Sequence, residues 1–308
     1  MFAYAAVKTI AKDKGYDFRV LSKYDNQFLK NDIDKKFGSN ITTVFENIQT
    51  EIIHEVPIGF HEFHEVTTRF STSSLQKEAL EVHDNTLMRG HYISPLYFMH
   101  RIDEVRTWFK FPQSINQDTS RIITKILAKY PPNTKLCSVH FRNALDYRIK
   151  GYMLAKHYWN NAAQQLLQEE NANIVFLVFY DKKTRLVKSF IKNHQSETLH
   201  YSLFKDFSLI SKCDFHIVCN SSFSVMAALM DERSNKTFCP SIWPTPKGYF
   251  PMDSYPQEWI RISTKRNPVS HIMGYIAPIL SPPKTSYKKE VIFYEKEIIN
   301  FPFSISTL

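Results

Sequence analysis

Two short stretches of this chain carry residue types that could do chemistry on an anionic substrate. In the first, an apolar run from Phe215 to Cys219 stops at Asn220, and Ser221, Ser222 and Ser224 follow at once. Val225-Met226-Ala227-Ala228-Leu229-Met230 then reads as a buried helix. A strand that ends in small polar residues at a helix start can hold an anion. The first helical turn offers unpaired backbone N–H groups and the positive end of the helix dipole, and serine hydroxyls add donors. The plainer alternative is an ordinary N-cap, because Asn and Ser are favoured capping residues. The second stretch is Val139-His140-Phe141-Arg142-Asn143-Ala144-Leu145-Asp146-Tyr147. His140 and Arg142 alternate with apolar neighbours and so share one face of a strand. An arginine at a strand's carboxyl end can fork onto a phosphate. Asp146 could hold that arginine or accept a proton. The alternative is a surface Arg–Asp pair worth little in stability.

Those residues need a frame, and the chain is long enough to build one. Its 308 residues suffice for two ordinary domains, and 43% hydrophobic content supports a full core. No apolar run reaches bilayer length, and the amino terminus lacks the charged front and cleavage site of a signal peptide. A soluble chain that stays where it is made is the expectation. Cys137, Cys213, Cys219 and Cys239 lie in or beside apolar runs without a C-x-x-C pair, so buried free thiols are expected. The net charge of +9 favours an anionic partner, whether nucleic acid, an acidic membrane surface or a phosphorylated substrate. The cations are spread along the chain, and no helix-turn-helix, RNP or zinc-finger pattern appears, which argues against nucleic acid. His61 and His64 stand three apart without a third ligand and read as surface residues. Trp108 and Phe109 read as core. Sequons begin at Asn40, Asn220 and Asn235, and Asn220 lies too near a buried strand to be modified.

The expected elements begin with a helix over Met1–Asp13 and a strand over Phe18–Leu21. The stretch 23–77 is polar and irregular. Ile102–Phe111 and Asp118–Lys129 read as helices. Pro131-Pro132-Asn133 is the expected domain boundary, because paired prolines block both helix and central strand. Beyond it, strands over Leu136–Phe141, Ile174–Phe179, Thr198–Ser202, Phe215–Cys219 and Lys236–Cys239 alternate with helices over Leu154–Gln168, Thr184–Asn193, Phe207–Lys212 and Ser222–Asp231. That alternation predicts an α/β fold with a parallel sheet covered on both faces. Ligands sit at the carboxyl ends of such strands, where both polar stretches fall. The expected domains are an irregular N-terminal lobe (1–130), a nucleotide-binding lobe (131–267) and a C-terminal extension (268–308) that packs back on the molecule.

The order of these motifs resembles the α-1,2-fucosyltransferases of glycosyltransferase family 11. His140 to Tyr147 is similar to their His-x-Arg-Arg-Gly-Asp-Tyr block. Asp206, Leu209, Ile210, Ser211 and Cys213, followed by Asn220-Ser221-Ser222-Phe223-Ser224, resemble their Asp-x-x-Leu-Met-Ser-x-Cys and Asn-Ser-Ser-Phe-Ser blocks. Phe179-Tyr180-Asp181 is similar to the family's Phe-Ser-Asp step, and Lys236 to Pro240 with Trp243 to its Pro-x-x-Trp end. Gly90-His91-Tyr92 with Ser94, Tyr97 and Phe98, and Met1-Phe2-Ala3-Tyr4-Ala5, resemble earlier family blocks. The matches run in order to about Trp259.

The resemblance implies a GT-B-like fold of two Rossmann-like lobes with parallel sheets. It implies transfer of L-fucose from GDP-fucose to the 2-hydroxyl of a terminal galactose on a glycan, with inversion and without a metal or other cofactor. Arg142 and Asp146 are the expected catalytic residues, Asp146 as the base. His140, Asp181, Asn220, Ser221, Ser222, Phe223 and Ser224 are the expected substrate-binding residues, with His140 in a positioning role or as a satisfied strand histidine. The implied partners are a GDP-sugar and a galactose-terminated acceptor, with no nucleic acid and with peripheral membrane association open. The compartment is cytoplasmic or at the inner membrane in a bacterium, or the Golgi lumen in a eukaryotic chain lacking its anchor. The chain departs from the family pattern in three places. Asn143 replaces the second arginine, the block's glycine is absent with one residue added before Asp146, and Val225-Met226 replace a tandem tryptophan. The Gly-Asn-Gln loop expected before the first helix is also missing, which fits a divergent member with an incomplete amino terminus. The alternatives are a related transferase with another donor or acceptor, and a decayed relative that only binds nucleotide or glycan.

Overall fold

The computed structural model describes residues 1–21, 44–66, 74–149, 151–233, 236–245, 248–249, 253–265 and 302–306. They fall into two compact units, one drawn from Met1–Pro112 and Ser281–Leu308, the other from Gln113–Leu280. Asn40 and Asn235, with most of 268–308, lie outside the described residues.

The first unit starts with helix α1 (Phe2–Lys14), buried on almost every face from Phe2 to Ala11. It stops at Gly15, whose φ of 71° is a left-handed conformation that glycine adopts without strain. Lys8 is buried inside this unit and needs a partner there. Glu51 supplies it at 2.5 Å, and the ammonium also sits 4.7 Å over the Trp108 ring. Trp108 and Phe109 are core residues, as their composition suggests. The unit's sheet holds β1 (Asp17–Leu21), β2 (Ile52–Ile53), β3 (His61–His64), β4 (Thr86–Arg89) and the C-terminal strand Pro302–Ser306. The β1–β2 and β3–β4 pairs are parallel. The C-terminal strand runs antiparallel between β1 and β4, so this sheet is mixed, because its middle strand arrives from the other end of the chain. Helix α2 (Ile102–Trp108) ends the unit. On β3, His61 and His64 point to opposite faces by strand periodicity, and His64 Nε2 meets Glu62 at 2.8 Å.

Helix α3 (Gln113–Leu127) opens the second unit. It packs there because its Thr119 hydroxyl meets the Ser208 hydroxyl at 3.1 Å and the Lys212 amine at 2.6 Å. Pro131-Pro132 therefore marks the turn out of α3, with Thr134 closing back onto the Pro131 carbonyl, and the boundary lies upstream of it.

The rest of the unit alternates as its sequence pattern requires. The elements are β5 (Lys135–Phe141), α4 (Leu145–Ile149), α5 (Lys156–Glu169), β6 (Ile174–Tyr180), α6 (Arg185–Asn193), β7 (Ser196–Leu199), α7 (Leu203–Ile210), β8 (Phe215–Ile217), α8 (Ser222–Leu229), β9 (Thr237–Pro240), a short β10–β11 ribbon (Pro244–Thr245 and Gly248–Tyr249) and β12 (Ile260–Ile262). The sheet order is β12-β9-β8-β5-β6-β7, and every neighbouring pair is parallel. Cys137, Val139, Phe176, Val178, Ile217 and Phe238 are fully enclosed beneath α5 and α6. All four cysteines are buried free thiols.

Several spans differ from the sequence pattern: α3 starts at Gln113 where the pattern suggested Asp118, and β8 ends at Ile217 where it suggested Cys219. Strand β7 ends at Leu199, where its pairing with β6 ends, and α7 starts at Leu203 with Ser202 as its N-cap. Among the described residues no helix is long and apolar enough to cross a membrane.

Between β5 and β8, Ser138 Oγ meets His216 Nδ1 at 2.8 Å, and His216 Nε2 meets Asp231 Oδ2 at 3.1 Å. All three residues are buried, so this Ser–His–Asp chain links strands and has no access to substrate. Burial raises the Asp231 pKa, but hydrogen bonds from His216 and Arg233 outweigh it and hold the carboxyl below its usual range. A depressed folded-state pKa gives stability that is present above the unfolded pKa and lost as pH falls through the folded one. Asp231→Asn should therefore cost about 1–3 kcal/mol at neutral pH, with a difference from wild type that shrinks below about pH 4. Chemical denaturation across pH measures it.

Candidate active site

Strands β5, β6 and β7 run to one side of the sheet, and β8, β9 and β12 run to the other. The order reverses between β5 and β8, and a parallel sheet opens a crevice at such a switch point, beyond its carboxyl ends. Here β5–β8 pairing ends at Val139↔Ile217, while β5 continues beside β6 to Phe141↔Tyr180. His140, Arg142, Cys219 and Asn220 thus surround the place where the two strands part.

Arg142 is held in a fixed position. Its Nη1 donates to Asp181 Oδ1 at 2.7 Å, and its guanidinium lies 4.8 Å from the Tyr147 ring centroid. The other Asp181 oxygen accepts the backbone N–H groups of Asn143 (2.9 Å) and Ala144 (3.1 Å). Asp181 therefore anchors the loop after β5. Asn143 completes the clasp: its amide nitrogen donates to the Lys182 carbonyl at 2.7 Å, and its amide oxygen accepts the Lys182 N–H at 2.8 Å. A residue that departs from the family pattern thus does structural work between two strand-end loops.

Tyr147 ties this loop to the other side of the crevice, its hydroxyl donating to the Asn220 carbonyl at 2.8 Å. The Asn220 side chain is buried and donates to the Tyr152 carbonyl at 3.0 Å, which leaves it unsuited to modification. Ser221 stands at the N-cap of α8 in extended conformation, and its side chain makes no capping hydrogen bond. The ordinary capping role is thus not what these serines perform. Ser222 opens the helix and is exposed. Ser224 is buried, accepting the Cys219 N–H at 3.4 Å and donating to the Ser221 carbonyl at 3.3 Å. The Phe223 ring packs against His140 and Phe207. Asp146 is the second residue of α4, and only its backbone is described.

The floor of the crevice is uncharged. His140 is buried with Nδ1 3.3 Å from the Cys219 sulfur. Burial lowers its pKa to about 4, with Asp181 opposing and Arg142 adding to the shift. Burial pushes the Cys219 thiol up to about 12. Among the described residues no group of three His, Cys, Asp or Glu side chains converges as a metal site.

The strand-end geometry coincides with a sequence match. Residues 138–263 fit the profile described as Glycosyl transferase family 11. The match covers about two fifths of the chain, all of it within the second unit. It spans β5 to β12 and holds each residue named around the crevice. An Escherichia coli alpha-1,2-colitosyltransferase is 28% identical over 193 residues, which cover 56% of this chain and 61% of that protein. The chain thus spans about three fifths of the relative's length. Among solved structures, NodZ alpha-1,6-fucosyltransferase soaked with GDP-fucose overlaps 49% of this chain and 54% of its own at 14% identity (TM-score 0.34). POFUT1 in its apo form overlaps 44% and 48% at 10% identity (TM-score 0.31).

Of the expected residues, the crevice brings Arg142, His140, Asp181 and Asn220 to Ser224 into one place. Tyr147, Asn143 and Asp206 stand in the sequence only as positions of family-like blocks. Tyr147 and Asn143 join the loops as described. Burial raises Asp206 to about 6, against the Tyr201 N–H that it accepts at 3.1 Å. For Tyr147 the available signal was its place at the end of the His140–Tyr147 block. Nothing local marks Asn143, whose partners are about forty residues away.

A His with a lowered folded-state pKa contributes stability above its unfolded pKa, and that contribution is lost as pH falls toward the folded value. The His140 ring should therefore stay neutral from pH 8 to about 5, and acid should destabilise the fold between about pH 6.5 and 4. An NMR titration of the His140 ring carbons checks this, and a midpoint near 6.5 would contradict the buried placement.

Proposed function

We propose that this chain transfers L-fucose from GDP-fucose to the 2-hydroxyl of a terminal galactose, with inversion and without a metal. The observation that carries the reading is the clamped Arg142 facing the uncapped start of α8 across the switch point of the segment that fits the family 11 profile. A leaving GDP gathers negative charge as the C1–O bond to its phosphate breaks. Arg142 supplies a fixed cation for that charge, and the first-turn N–H groups of α8 with the Ser222 hydroxyl supply donors. Preorganised groups of this kind stabilise charge that develops in the transition state. In the forward step the galactose O2 attacks C1 from the opposite face and a base takes its proton. Asp146 is the base in this reading, placed by α4 one turn from the Arg142 loop. Asp181 is a positioning residue, since both its oxygens serve the loop. His140 and Phe223 shape the floor. The cytoplasm or the inner face of a membrane is the compartment in which this chemistry would meet its donor in a bacterium.

A second reading keeps the same site and changes the sugar. The E. coli relative is an alpha-1,2-colitosyltransferase, which supports a 1,2-linkage and favours a donor other than fucose. GDP release from GDP-fucose and from GDP-colitose, each with and without lactose in EDTA, separates the two. Acceptor-dependent release with fucose supports the first reading, and release with colitose alone supports the second. Release from neither removes both. Arg142→Ala should lower turnover by roughly a hundredfold or more while circular dichroism stays unchanged. Unchanged turnover would remove Arg142 from the site.

A further inference from the structure

The carboxyl ends of β5, β6 and β7 form a rim with an unusual surface. After β6, Lys182, Lys183, Arg185 and Lys188 are all exposed, and among the described residues no acidic side chain pairs with any of them. The one carboxylate at that turn, Asp181, is already engaged by Arg142. The start of α4, just after β5, presents Leu145, which is 61% exposed, and the loop after β7 presents Tyr201, which is 45% exposed. These three strands are neighbours in the sheet and all parallel, so their loops emerge side by side, about 5 Å per strand step apart. Isolated exposed apolar residues are ordinary. Here each flanks a row of cations that no acidic side chain among the described residues neutralises.

We propose that this rim docks the protein on an anionic lipid surface. Cations near such a surface are drawn to it within a Debye length, and a tyrosine and a leucine beside them can enter the headgroup region. A nucleic acid would use the cations but offers no apolar phase for Leu145. The rim also borders the Arg142–Asn220 crevice, so docking brings that crevice to whatever glycan the lipid surface carries. The inference does not depend on which sugar is transferred.

The test is co-sedimentation of the full chain with vesicles of phosphatidylcholine alone and of phosphatidylcholine containing phosphatidylglycerol. Binding is expected only to the anionic vesicles, and salt should weaken it. Replacing three exposed cations (Lys183→Gln, Arg185→Gln, Lys188→Gln) should reduce partition on the order of a hundredfold, from roughly fivefold per cation. Tyr201→Ser should reduce the part that survives in high salt. Thermal unfolding confirms that the variants fold. No partition of wild type, or equal partition of the triple variant, overturns the proposal. Binding to duplex DNA with vesicles ignored overturns it in favour of a nucleic-acid partner.

Discussion

The Asp181 carboxylate is the constraint on which the crevice depends. Three donors from the loop after β5 converge on it, one guanidinium and two backbone N–H groups. Parallel strands end in loops whose backbone groups have lost their ladder partners, and those groups must be satisfied elsewhere. Here one carboxylate at the end of β6 satisfies them for β5. The same contact turns a long, rotamer-rich arginine into a fixed charge. Asn143 returns the favour by pairing with Lys182, so the two loops hold each other. Tyr147 extends the tie across the switch point to Asn220.

Fixing the charge matters because the floor beneath it carries none. His140 is neutral and Cys219 is protonated for the same reason, the cost of ionising a group away from water. The buried Ser138–His216–Asp231 chain lies further down the same strands and pairs its own charge internally with Arg233. Among the described residues, Arg142 is the clamped cation at the crevice, and the proposed anion attraction rests on it and on the start of α8. The α8 helix can offer its first-turn N–H groups because Ser221 leaves them uncapped. The exposed cations after β6 stand outside the crevice.

The parallel sheet was legible from the sequence, since apolar runs of strand length alternate with helices from Leu136 onward. The four buried thiols and the core role of Trp108 and Phe109 were legible as well. The unit boundary was not. Paired prolines at 131 and 132 are a strong local signal, but α3 is held in the second unit by Thr119 and Lys212 contacts that no local pattern reveals. The mixed first sheet was hidden for a similar reason: its middle strand comes from the far end of the chain.

By itself the sequence determined which residue types stand at the ends of which strands, because strand and helix periodicity is a local property. It marked Arg142, His140 and the Asn220 to Ser224 block as strand-end residues of the types that could meet an anion. Tertiary structure alone decided what each does there. Asp181 became an anchor and Ser224 turned inward, while Ser221 left its helix uncapped, since hydrogen-bond partners of a strand-end loop lie on other strands. Strand order, which places β5 beside β8 although about seventy residues separate them, is what makes one crevice of two distant motifs.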